Sequence, residues 1–166
     1  MTAASGIAAG QRILAAEIQG VAPLAAYKAA NQSVASSATF VDDDALLLTL
    51  VADAVYHFKC VIGYNGASSG SGDIDFAWSL PSGASMTYAL QGYKGGVAAA
   101  GFWETAASIS MNTNGTGTTL SAVMEGTIVM SSTPGVAQLQ WKQNTTNSGT
   151  PTTVVTGSDF LAWQIQ

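Results

Sequence analysis

The segment from Ala54 to Leu80, AVYHFKCVIGYNGASSGSGDIDFAWSL, leaves the backbone little choice. One parity of its first half is wholly apolar (Tyr56, Phe58, Cys60, Ile62, Tyr64), while the other mixes in His57 and Lys59. The second half splits the same way, with Ile74, Phe76, Trp78 and Leu80 set against Asp73, Asp75, Ala77 and Ser79. Successive side chains of a strand point to opposite faces, so strict period-two alternation in β-branched and aromatic sequence marks a half-buried antiparallel strand. The bridge from Gly66 to Gly72 then predicts a central hairpin.

The same pattern recurs downstream. A first strand is expected over Tyr27 to Val34. In ATFVDDDALLLTLV the three acidic residues Asp42, Asp43 and Asp44 read as a solvated turn between two β segments. After them Leu46 to Val51 is apolar on both parities, which suggests a strand covered on both sides. Met86, Tyr88 and Leu90 share a face. Gly92 to Gly101 reads as a Gly/Ala-rich loop, and GFWETAASISM as one further strand. NTNGTG (Asn112 to Gly117) carries hairpin turn chemistry. Ala122, Met124, Ile128 and Met130 share a face, as do Leu139 and Trp141, with Gln138, Gln140 and Lys142 outward. In SDFLAWQIQ the larger side chains Leu161, Trp163 and Ile165 are expected inward. Strands at this spacing, joined by turn residues, predict an all-β antiparallel sandwich or jelly roll.

Composition narrows the function classes. Ten acidic and five basic residues give a net charge of −5 with no Lys/Arg cluster, so the basic patch that a nucleic-acid partner requires is missing. No apolar run approaches the ~20 residues of a membrane span. Charged residues are only 9% of the chain, which suits a subunit that hides surface in a larger assembly. The single cysteine, Cys60, has no internal partner and reads as a small buried hydrophobe. A hydrolytic triad would have to use His57, the one histidine, which lies mid-strand with no nucleophile elbow nearby. One His and one Cys facing opposite sides of a strand do not make a zinc site. Asp73 and Asp75 read as outward polar residues, and Trp78, Trp103, Trp141 and Trp163 as core. Neither an enzyme, a metal nor a cofactor is expected. Tyr93 is the one aromatic singled out for ligand contact.

Residues 1–26 differ from the rest: Ala-rich, with no aspartate and no aromatic residue. Within them GQRILAAEIQG places Leu14, Ile18 and Val21 at helical spacing, with Gly20 and Pro23 as stops. One short amphipathic helix is predicted, needing a surface to lie on. The chain thus divides into an arm, 1–26, and a β domain, 27–166.

The segments AAYKAANQSVASSATFVDDDALLLTLVADAVYHFKCVIGYNG, DIDFAWSLPSGASMTY, GTIVMSSTPGVAQLQWKQNT and GSDFLAWQI together resemble a recurrent β-domain of virion proteins from actinobacteriophages. Its members serve as capsid decoration or minor tail proteins. The resemblance implies a jelly roll of the tumour-necrosis-factor and C1q type, assembled as a homotrimer. Leu46, Leu48, Leu50, Phe160 and Ala162 would then contribute to the trimer interface. Ile7, Arg12, Ile13, Leu14, Ile18 and Val21 would anchor the arm to the major capsid protein or to tail proteins. The expected role is non-enzymatic decoration of the virion surface. A minor tail protein at the tail tip or baseplate and a glycan-binding adhesion module are the alternatives.

Overall fold

The computed structural model describes residues 22–68, 73–94, 97–104 and 108–166, with the backbone alone for 93–94, 97–100 and 102–104. Twelve strands and no helix occur among them. In chain order they are β1 (Leu24–Tyr27), β2 (Gln32–Val34), β3 (Val41–Leu50), β4 (Val55–Asn65), β5 (Ile74–Ser79), β6 (Ser85–Lys94), β7 (Val97–Glu104), β8 (Ile109–Met111), β9 (Leu120–Val129), β10 (Gly135–Gln143), β11 (Thr152–Val154) and β12 (Asp159–Gln164). They form two antiparallel sheets. The larger has the order β1-β12-β4-β9-β6-β7, with β11 joining β4 to β2, and the smaller has the order β3-β10-β5-β8.

Setting aside β2, β11 and the β6–β7 hairpin leaves eight strands. Renumbered from one to eight, they lie as 1-8-3-6 in one sheet and 2-7-4-5 in the other. Successive strands that alternate between two sheets in this way form the doubled Greek key of a jelly roll. The expected fold class holds.

The alternation read from the sequence is the inner face of the sandwich. Tyr56, Phe58, Cys60, Ile62 and Tyr64 are buried at 0–2% exposure, and so are Ile74 and Phe76. Phe58 sits at the centre, with its ring edge-on to Trp78 (5.7 Å), Tyr88 (6.1 Å) and Phe160 (6.0 Å), so that four strands from both sheets meet on one side chain. Edge-to-face pairs add about 0.5–1.5 kcal/mol each beyond the area they bury. Tyr64 and Phe76 make a second cross-sheet pair at 5.5 Å. Cys60 is buried in this layer, and desolvation, followed by the charges of Asp159 and Asp43, pushes its thiol pKa well up. Gly126 marks a close approach of β9 to β6: a Cβ there would lie 2.0 Å from the Thr87 carbonyl oxygen.

Several local expectations are corrected. β4 and β5 belong to different sheets, so the Gly/Ser bridge is a crossover and not a hairpin turn. NTNGTG likewise carries the chain from β8 in one sheet to β9 in the other, with Gly115 at φ 85°. Turn residues specify that the chain bends, but inter-sheet packing decides where it goes next. The Gly/Ala stretch read as a loop is mostly the β6–β7 hairpin, paired down to Lys94 opposite Val97. GFWETAASISM is split between β7 and β8. At the start, β1 pairs with β12 from Leu24 onward, so the sheet begins three residues before the boundary set at Tyr27, and residues 28–31 separate β1 from β2.

The last strand is inverted relative to expectation. Phe160 and Ala162 are fully buried, while Leu161 and Trp163 are half-buried and Ile165 is 61% exposed. Both parities of SDFLAWQIQ are apolar, so size alone misassigns the face, and a slip of one residue flips every side chain. Ser158 pins the register: its hydroxyl donates to the Val155 carbonyl (2.8 Å) and accepts from the Gly63 N–H (3.0 Å). Ala162 then falls opposite Phe58, where a small side chain leaves room for the ring. β12 is paired on both sides, by β1 and β4.

Two outcomes follow. Phe160→Ala should cost about 3–5 kcal/mol in chemical denaturation, whereas Ile165→Ala should stay within about 0.5 kcal/mol. Tyr88 provides an alkaline test, because burial raises its phenol pKa from 10.0 to about 12. The unfolded chain ionises first, so the stability that Tyr88 contributes is complete below pH 10 and is lost as pH rises towards about 12. Tyr88→Phe should flatten the fall in denaturation midpoint across that window.

Candidate functional site

Two places in the described chain gather polar chemistry, one inside and one on a face. The internal one begins with a bulge in β3. Gln138 of β10 pairs with Leu47, but Gln140 pairs with Asp42, so β3 passes five positions while β10 passes two. The residues of β3 left between those two pairs are Asp43 to Leu46, which take in the last two of the acidic run. They are therefore a β-bulge within a strand and not a solvated turn. Bulges leave backbone groups unpaired, and each must find another partner.

Neighbouring side chains supply them. The Asp43 carboxylate turns inward, and its Oδ1 accepts from the N–H groups of Ala45 (3.0 Å) and Leu46 (2.9 Å). Gln138 donates to the Asp43 carbonyl (2.9 Å) and Gln32 to the Asp42 carbonyl (2.9 Å), while Gln32 Oε1 accepts from the Asp44 N–H (3.0 Å). The charge is met by Lys28, which follows β1 and is fully buried. Its Nζ donates to Asp43 Oδ1 at 3.0 Å, to Gln32 Oε1 at 3.1 Å, and to Asp44 Oδ1. Asp43 is fully buried too, and its Oδ2 has no hydrogen-bond partner. Asp44 reaches the same ammonium from a side chain that is 60% exposed. Both carboxylates are thus turned to an ammonium. No group of three or more metal-ligating side chains is present among the described residues.

The second place is the outer face of the large sheet. His57, Lys59, Ala89, Gln91, Val123, Glu125 and Gly126 line a shallow basin of about 480 Å³. β4 and β9 build it in register, with Lys59 directly opposite Glu125 and His57 opposite Thr127. His57 Nε2 lies 3.3 Å from Glu125 Oε1, and its ring is 6.0 Å from that of Trp163 on the next strand. Desolvation raises the pKa of Asp159 on β12, and Lys59 partly opposes the shift. This is a half-exposed surface of mixed polarity.

The residues expected at functional positions are distributed as follows. Leu46, Leu48, Leu50, Phe160 and Ala162 are core residues at 0–6% exposure, enclosed by their own chain, and they leave no surface for a second subunit. Val51, from the same apolar run, is 52% exposed. Ile7, Arg12, Ile13, Leu14, Ile18 and Val21 lie outside the described residues. Tyr93 lies in β6 opposite Ala98 and not in a loop. Asp73 and Asp75, expected as outward polar residues, are drawn into the fold. Asp73 accepts from Asn112 Nδ2 and from the Thr113 N–H, both at 3.0 Å, and so holds the turn after β8. Asp75 is buried and lies 3.3 Å from Lys142, whose ammonium is also 5.1 Å from the Phe40 ring centroid. Sequence reasoning missed Lys28 and Gln32 altogether; their partners are 10 to 16 residues away across two sheets, beyond any local pattern.

No protein-family model matches the chain, and no curated protein matches it. Among solved structures, a chain in the structure of the infectious bursal disease virus Gx strain aligns over 87% of this protein and 40% of its own length, at 10% identity and a TM-score of 0.25. A chain from the Gt strain aligns over 86% and 41%, at 10% identity and a TM-score of 0.21. The protein spans about two fifths of either chain. Overlap at this level carries no role from those chains to this one.

Removing one member of a buried ion pair leaves the other charge uncompensated, at a cost of about 3–5 kcal/mol. Asp43→Ala also strips two backbone N–H groups of their acceptor, so it should lower stability by at least that much. Asp42→Ala, which removes an exposed side chain bonded to Gln140, should cost under about 1 kcal/mol in the same urea titration.

Proposed function

We propose that this protein is a non-enzymatic structural component of a virion, a homotrimeric decoration protein on the capsid surface, held there by its N-terminal arm. The observation that carries the reading is where the chain enters the fold. β1 is an outermost strand of the large sheet, with Leu24 39% and Tyr27 64% exposed, so the described chain enters the domain at an edge of the sheet and not through the core. Such an arrangement lets a segment engage a shell while the jelly roll stays intact. A partner that binds only the assembled shell stabilises it by mass action.

The outer face of the large sheet is the surface proposed for the trimer contact. Val55 pairs with Val129, which is 45% exposed, and Ile165 donates its N–H to the Val55 carbonyl, so three apolar side chains lie together beside the His57–Glu125 basin. A large exposed apolar group next to paired charges is the usual anatomy of an interface with a polar rim.

Deleting residues 2–22 should leave a folded trimer by sedimentation that no longer joins empty shells in a pelleting assay. Full occupancy of the shells by the truncated protein would overturn the anchoring role. A monomeric mass for the intact protein at micromolar concentration would overturn the trimer.

A further inference from the structure

The Lys28–Asp43 pair has features that a simple ion pair does not need. Both side chains are fully buried. Asp43 Oδ1 is held by two backbone N–H groups as well as by the ammonium, whereas Oδ2 is buried without any partner. A carboxylate that serves only as a counterion gains by having both oxygens hydrogen-bonded, because an unsatisfied buried oxygen carries the full desolvation cost. This one-sided arrangement suits a carboxyl carbon under attack. Two convergent N–H donors on one oxygen stabilise the negative charge that develops there in a tetrahedral intermediate, and the other oxygen is left to depart.

We propose that Lys28 Nζ condenses with Asp43 Cγ to form an intramolecular isopeptide bond. The Nζ–Cγ bond forms and the Cγ–Oδ2 bond breaks. Of the three ammonium protons, one stays on the amide nitrogen and two leave with Oδ2 as water. Nothing is oxidised or reduced, and the net charge of the pair is zero before and after. Asp44, hydrogen-bonded to Nζ and open to solvent on its other side, takes protons from nitrogen and returns them to the departing oxygen, and so ends unchanged. Gln32 orients the amine through Oε1 at 3.1 Å. Burial holds the two reactants together and keeps water from reversing the step.

The bond would tie the end of β1, in the large sheet, to the bulge of β3, in the small one, closing a loop of 15 positions. On the decoration reading, β1 is the strand through which force on the arm would enter the domain. A covalent tie at its end would stop that edge strand from peeling off β12. The chemistry does not depend on the virion reading and is tested separately from it.

The test is the intact mass of the full-length protein under denaturing conditions. It should be lighter by one water than the linear chain of this sequence, and Lys28→Arg should restore the full linear mass. Chymotryptic mapping should yield a branched peptide joining the segments around Lys28 and Asp43. Asp44→Asn should slow the reaction, with the uncondensed mass persisting in freshly made protein. A wild-type mass equal to that of the linear chain, with Lys28 acylated by an amine reagent after unfolding, would overturn the proposal. Water loss confined to a single unbranched peptide would do the same.

Discussion

A buried positive charge at the junction of the two sheets sets the terms for the start of this fold. Lys28 is drawn out of water by Asp43, and Asp43 is there because β3 bulges. Neither is tolerable alone. The bulge frees backbone N–H groups that need an acceptor, the acceptor brings a negative charge inside, and the charge requires an ammonium. Each step satisfies the last, and together they hold β1 in the large sheet to β3 in the small one. Ser158 performs a similar function from the other end of the chain: its carbonyl accepts the Lys28 N–H while its hydroxyl fixes the register of β12 against β4. The ends of β1 and β12 are therefore indexed to the same corner.

How far the sequence discloses this depends on the range of the interaction. Alternation in β4, β5, β9 and β10 gave the inner face correctly, because a strand covered on one side writes its environment into every second residue. Cys60 and Trp141 were placed in the core by the same rule. Where both parities are apolar, as in β12, the rule has no purchase, and hydroxyl contacts decide. Where acidic residues cluster, as at Asp42–Asp44, hydrophilicity suggested solvent, although Asp43 is among the most enclosed side chains in the molecule. Its long-range partners come from β10 and from the segment between β1 and β2, and nothing in a local window reports them.

The connections show the same limit. Gly/Ser and Asn-Gly stretches mark changes of direction reliably, and the chain does turn at each. Whether a turn returns to the neighbouring strand or crosses to the opposite sheet is fixed by which apolar faces must be covered. In a jelly roll most successive strands change sheets. The β6–β7 hairpin, a local addition beyond β9, is the one place among the described residues where consecutive strands pair directly.

The lysines have a consequence for how the molecule is perceived from outside. Lys28 is enclosed, Lys142 is drawn against Asp75, and Lys59 stands across the ladder from Glu125. Among the described residues the positive charges are therefore largely spoken for, while carboxylates such as Asp42 and Asp53 remain in solvent. A body approaching from a distance meets an electronegative skin. Close crowding of many copies would then depend on small cations gathering between them, and dilution of electrolyte would loosen such a layer before it disturbed any individual domain.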